Sequence, residues 1–338
     1  VLAPSNPEVV YVGTGEQTQG NGVYKSIDGG ATWTNIGLRE TRFISSIIVD
    51  PHDPNIVLVG DYVDSAPSQM VGVFKTTDGG RTWNKTLFKD DKTLVMDMCA
   101  APGDSRIIYA STWSLRFSQN DAAPVPDSQI FKSTDEGTNW QPLSGKGWPE
   151  NSRGRIGVVV APGDKRLYAI MRQGFFRSDD AGASWTKTTT DPRVLGSSYF
   201  SRVFVDPQNA DVVYVMQTSM YRSTDGGKTF EAYRGAPSGE DEHVLWIAPD
   251  DTQRMILGSD QGAIVSLNGG KSWSTWYNQP TGQFYHVVTD DSLQTIPSRM
   301  TLTPHSRIAA LSSCPTAATS GKLPIETGSQ PAPSRAAI

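Results

Sequence analysis

The sequence predicts an all-β fold, a β-propeller of four-stranded antiparallel blades, on three observations. An eight-residue motif recurs six times, its copies are evenly spaced, and no segment carries helical periodicity. The motif reads Ser/Thr-x-Asp/Asn-x-Gly-x-x-Trp/Phe and occupies Ser26 to Trp33, Thr76 to Trp83, Ser133 to Trp140, Ser178 to Trp185, Ser223 to Phe230 and Ser266 to Trp273. Its third positions, Asp28, Asp78, Asp135, Asp180, Asp225 and Asn268, lie 50, 57, 45, 45 and 43 residues apart, enough chain for one blade each. Six to seven blades are expected, in a ring that this chain does not close.

Upstream of each motif the same local order returns: a β-rich run, a Pro-containing turn, a second run ending near Tyr or Leu, a loop and a third run. Ile44 to Pro51 followed by Ile56 to Val59 is one instance, and Val203 to Pro207 followed by Val212 to Tyr214 is another. Runs of five to seven β-branched and alternating residues bounded by Gly, Pro, Asn and Asp are strand signals. The motif, an Asp-box, then closes the hairpin between the third and fourth strands. Its carboxylate accepts turn N–H groups, its Gly supplies positive φ, and its aromatic packs on the sheet. A residue repeated in every blade serves the scaffold, because an active site needs one place.

Composition removes several functional classes. With 30 basic and 35 acidic residues the net charge is −5, and no Lys/Arg run forms the stripe a phosphate backbone needs, so nucleic acid is not an expected partner. No apolar stretch approaches the roughly 20 residues of a membrane span. Cys99 and Cys314 stand in no metal or redox spacing. No Gly-x-Ser-x-Gly elbow, Cys/His pair or phosphate loop occurs, and neither a metal nor a cofactor is expected.

Residues 1 to 291 are assigned to the propeller: a first blade lacking most of its first strand, five complete blades, and the start of another at Phe284 to Thr289. From Ser292 onward there is no Phe, Tyr, Trp or Asp in 47 residues. This stretch, 292 to 338, reads either as a disordered tail or as the product of a frameshift, since permissible codons for Ser313 to Ser329 read two bases later restore aromatic and Asp/Gly content. The chain opens on Val1 without a signal peptide, so it is expected to be a fragment.

The boxes, with Gly22 to Ser26 and Gly72 to Thr76 leading into them and Asn278 to Tyr285 following the last, resemble large exported bacterial BNR-repeat proteins of the glycosyl hydrolase type. They are also similar to the sortilin N-terminal propeller and to glycoside hydrolase family 74, the xyloglucanases. The resemblance covers Val1 to about Asp291 and implies secretion or a periplasmic location. Family 74 enzymes set two propellers face to face, each giving one catalytic aspartate, so the resemblance implies a second propeller in the full-length chain and an inactive isolated fragment. The implied function is a module acting on or binding polysaccharide by carboxylate-based O-glycosyl hydrolysis. The alternative is a non-catalytic sortilin-like propeller binding peptides, proteins or glycans.

Strand parity locates the site. In up-and-down blades the Pro turns and Asp-boxes share one face, and the loops between strands two and three fall on the other. There the two longest loops, Asp61 to Met70 and Thr112 to Gln129, carry carboxylates and aromatics, which glycosidic cleavage and sugar stacking use. Asp61, Asp64 and Asp260 are the candidate catalytic residues. Glu16, Tyr62, Trp113, Arg116, Arg155, Tyr199 and His243 are the candidate ligand contacts. The same residues also fit solvated loop charge, turn aspartates and loop-anchoring aromatics, and the run from Glu240 to His243 reads as a solvated acidic loop.

Overall fold

The computed structural model describes residues 1–15, 19–62, 70–114, 128–195, 202–235 and 241–275, with the backbone of 286–289 and 308–311. The chain divides into two compact units, Val1–Gln279 and Pro280–Ile338. In the first unit the strands form six successive antiparallel sheets in sequence order, the blades of a propeller. Blade one is Leu2–Ala3, Asn6–Gly13, Val23–Ser26 and Thr34–Asn35, and blade two is Phe43–Val49, Val57–Tyr62, Gly72–Thr76 and Asn84–Leu87. Blade three is Thr93–Ala101, Asp104–Ser114, Ser128–Ser133 and Gln141–Leu143, and blade four is Gly157–Val160, Leu167–Met171, Gly174–Ser178 and Thr186–Thr189. Blade five is Arg202–Asp206, Asn209–Met216, Met220–Ser223 and Glu231–Arg234. Blade six has three described strands, Glu242–Ile247, Met255–Ser259 and Gly262–Ser266, and Ser274 N–H continues its pairing by donating to the Val265 carbonyl at 2.8 Å. The one helix among the described residues is the single turn Pro192–Leu195, between blades four and five. In the second unit, His286–Thr289 pairs antiparallel with Ile308–Leu311.

Each Asp-box folds the same way. In blade one Ser26 Oγ donates to Asp28 Oδ1 at 2.7 Å and accepts from Gly30 N at 2.8 Å, while Asp28 takes the N–H and hydroxyl of Thr32 at 2.8 and 2.6 Å. In blade six Asn268 replaces the aspartate and keeps the geometry, accepting Ser272 N–H and donating to its hydroxyl. The fifth position has positive φ in every copy, and at Gly137 a Cβ would fall 2.0 Å from Leu58 Cδ2.

The fourth box residue ties the clasp to the turn between the first two strands. Gly29, Gly79, Glu136, Ala181, Gly226 and Gly269 donate to the carbonyls of Glu8, Asn55, Arg106, Lys165, Asp211 and Gln253, each at 3.0 Å or less. Pro turns and boxes therefore share one face, as strand parity requires.

Blades adhere through apolar residues that alternate along their strands. Val9, Tyr11 and Val23 meet Val49, Val57 and Val59 between blades one and two. Tyr214, Met216 and Met220 meet Leu245, Met255 and Leu257 between blades five and six. The box aromatic belongs to this seam, reaching back to the preceding blade: Trp83 Nε1 donates to Ile36 O at 2.9 Å, and Phe230 packs edge-on to Phe175 at 5.1 Å.

Candidate ligand-binding face

On the face opposite the boxes, two second strands end in carboxylates. Asp61 is the penultimate residue of Val57–Tyr62, and Asp260 follows Met255–Ser259 in the turn that leads into Gly262–Ser266. Their environments differ. Asp61 is fully buried, and its carboxyl oxygens make no well-formed hydrogen bond among the described residues, with the Phe43 and Tyr62 N–H groups only weakly placed toward them. Desolvation pushes its pKa up to about 8, against the weaker pull of the Phe43 and Tyr62 N–H groups and the Lys85 charge. It is therefore a neutral acid at pH 7, covered from solvent.

Asp260 is exposed and paired. Its Oδ1 lies 2.8 Å from His243 Nε2, so two of the expected site residues, 17 positions apart in sequence, come together. His243 lies in the first strand of blade six, whose start faces the end of the second strand across an antiparallel pair.

The expected solvated acidic loop is corrected here. Glu242 and His243 belong to a strand, and Glu242 is completely buried, its Oε1 3.7 Å from Arg234 Nε. An irregularity in register between Glu242 and Val244 breaks strict alternation and leaves Glu242 buried and His243 half-exposed.

Tyr62 and Trp113 border one apolar cluster. Both are half-buried and pack against Val71 and Leu94, and Tyr62 stacks on Phe43 at 5.0 Å. Trp113 lies within a strand, opposite Ser128 and Leu94. Arg155 is half-buried just before the first strand of blade four. Glu16, Asp64, Arg116 and Tyr199 lie outside the described residues.

A further carboxylate was not singled out from sequence. Asp97, in the first strand of blade three, lines a cavity of about 200 Å³ with Cys99, Val159, Arg202 and Phe204 from the first strands of blades three, four and five. It accepts the N–H groups of Met98 and Val158 at 3.0 and 3.3 Å. Desolvation raises its pKa against the opposing charge of Arg202. The signal was present in the sequence: among the apolar first strands, Leu94 to Cys99 carries a charge at its centre.

The box aspartates behave oppositely. The Thr32 hydroxyl and Ser26 hold Asp28 at about 2, and the Asn139 N–H and side chain hold Asp135 at about 2. Permanently ionised and already bonded, they are turn clasps. No group of three or more metal-binding side chains occurs among the described residues, and no described helix is long and apolar enough to cross a membrane.

No protein-family model matches the chain. A probable oligoxyloglucan-reducing end-specific xyloglucanase of Neosartorya fischeri is 26% identical over 174 residues, 48% of this chain and 21% of the relative. A xyloglucanase of a Paenibacillus species is 27% identical over 230 residues, 58% of this chain and 21% of the relative. The crystal structure of an ancestral GH74 enzyme superposes with a TM-score of 0.61 at 18% identity, covering 81% of this chain and 37% of the other. The chain is similar to family 74 xyloglucanases. It spans about a fifth of the length of the curated relatives it matches. The fold is shared more widely: YCF48, solved bound to a D1 peptide, gives a TM-score of 0.51 at 14% identity over 85% of this chain and 92% of its own.

Proposed function

We propose that this chain is the propeller module of an exported glycoside-hydrolase-like protein, presenting the face opposite the Asp-boxes to a polysaccharide of the xyloglucan class. The observation that carries this reading is the exposed Asp260–His243 pair at the end of a second strand, on a module whose curated relatives are xyloglucanases. Glycosidic hydrolysis needs two carboxyl groups, one as acid and one as base or nucleophile, about 5–10 Å apart. Asp260 is open to a ligand and Asp61 is covered, so the second reacting carboxyl is assigned to a further domain facing this one across the glycan. Tyr62 and Trp113 shape the floor of the face.

The test is direct. Xyloglucan oligosaccharide titrated into this chain should bind, and Asp260→Asn should weaken the binding. The longer natural protein should release reducing sugar from xyloglucan. Binding without release by that longer protein would leave a glycan-binding propeller, and no binding to any β-glucan would remove the reading.

A further inference from the structure

The first strands of blades two to five lie side by side on the inner side of the blades. Thr93–Ala101 touches both Phe43–Val49 and Gly157–Val160, and Gly157–Val160 touches Arg202–Asp206. Three of these strands enclose the cavity of about 200 Å³ beside Asp97, many times the space a single water needs. Register sets its orientation. Arg202 pairs with Met216, the last residue of its blade's second strand, whereas Asp97 pairs with Ser111, short of the end of its own at Ser114. Second strands end on the face opposite the Asp-boxes, so Arg202 stands toward that face and Asp97 lies deeper.

Two opposite charges share this cavity without joining. Asp97 and Arg202 attract each other, yet they close to no ion pair, and the Arg202 guanidinium makes no hydrogen bond among the described residues. Asp97 Oδ1 accepts the Met98 N–H and Oδ2 the Val158 N–H, and each oxygen can take a further donor. The remaining walls include the apolar side chains of Val159, Val203 and Phe204. A ligand that completes the site accepts from Arg202, donates to Asp97, covers apolar surface and adds no net charge. A carboxylate would satisfy Arg202 but stand against Asp97, and an ammonium would do the reverse. A sugar ring meets all four conditions: its hydroxyls donate and accept, it is neutral, and its C–H face packs on aromatic and aliphatic groups.

We infer that this cavity binds a single neutral pyranose, with Arg202 donating to hydroxyls on the outer side and Asp97 accepting a hydroxyl deeper in. The inference rests on the proposed polysaccharide function for the source of the sugar, a pendant ring of a branched glycan. Asp260 and His243 belong to blade six, whereas this cavity belongs to blades three to five, so it is a separate contact for the same ligand class.

Ligand-observed NMR titration of D-xylose and D-glucose into the whole 338-residue chain tests this, with Arg202→Met as the central variant. Arg202 makes no hydrogen bond in the fold, so an unchanged circular dichroism spectrum and melting transition are expected of the variant. Arg202→Lys keeps the charge but loses the planar fork of donors. At least one of the two sugars should bind, Arg202→Met should weaken it more than tenfold, and Arg202→Lys should weaken it less. Displacement of the bound sugar by xyloglucan oligosaccharide would support the pendant ring as its source. Binding of neither sugar overturns the inference, as does a sugar whose affinity ignores Arg202, or butyrate binding where no sugar does. Oligosaccharide binding in any of those cases leaves the proposed function standing. Sugar binding through Arg202 by a chain that ignores every β-glucan supports the cavity, with a free sugar as its ligand, and removes the proposed function instead.

Discussion

His243 Nε2 stands 2.8 Å from Asp260 Oδ1, joining the first strand of blade six to the turn that ends its second. Both side chains keep solvent exposure, and an exposed polar pair of this kind is worth about 1 kcal/mol or less. The pair therefore does little for the fold. Asp260→Asn should leave thermal stability almost unchanged and reduce xyloglucan affinity about tenfold or more, the effect of losing a charge-assisted contact. Calorimetric titration beside a melting curve separates the two effects, and an unchanged affinity would remove Asp260 from the face's function.

Asp61 makes stability depend on pH in the direction opposite to an ordinary aspartate. Burial raises its folded pKa to about 8 from 3.8, so between these values the folded chain keeps a proton that the unfolded chain has released. Stability then falls as pH rises through that window, by about 1.4 kcal/mol per pH unit, and levels off above it. Asp61→Asn removes this slope. Urea denaturation of both proteins at pH 5, 7 and 9 should show the variant gaining on the wild type as pH rises. A constant difference would mean that the carboxyl is ionised and solvated.

Ala181 occupies a backbone position that four of the six boxes fill with glycine. Its φ is 56°, in the left-handed region, and its N–H is committed to Lys165 O at 2.7 Å. The conformation is dictated by the clasp, so the side chain adds only strain. Ala181→Gly should stabilise the chain by about 1 kcal/mol, read as a higher urea midpoint at unchanged slope. Ala183→Gly in the same turn serves as the control and should not stabilise.

Much of the fold was legible because the repeat writes it six times. The Asp-box fixes where a hairpin turns, the Pro turn fixes its partner, and parity then puts Asp61 and Asp260 on one face. Parity does not say whether a side chain is covered. Asp61 lies opposite Gly72 inside its strand and is buried, whereas in blade six Ser259 takes that place opposite Gly262, and Asp260, one residue further into the turn, stays open. The cavity beside Asp97 depends on packing between blades, since its lining comes from three first strands spread between Asp97 and Phe204. Trp113, read as a loop residue, became a strand residue because its strand runs on to Ser114. The Asp260–His243 pair joins positions 17 apart, a contact that strand register creates and composition cannot reveal.

The box aromatics should separate into two energetic classes by position in the row of blades. Trp185 is buried between blades three and four, 4.8 Å from the Trp148 ring and among Tyr109, Ile130 and Leu143. Trp33 holds the same place in blade one, whose other side is turned away from blade two, and is 43% exposed. Identical motif positions therefore carry unequal packing. Trp185→Ala should cost about 3–5 kcal/mol, the price of deleting a large buried ring with incomplete collapse around it. Trp33→Ala should cost about 0.5 kcal/mol, as for other exposed positions. Urea denaturation of both variants beside the wild type measures the two losses. Equal losses would show that a further element covers Trp33 in solution, and that the seam seen five times within the chain continues beyond blade one.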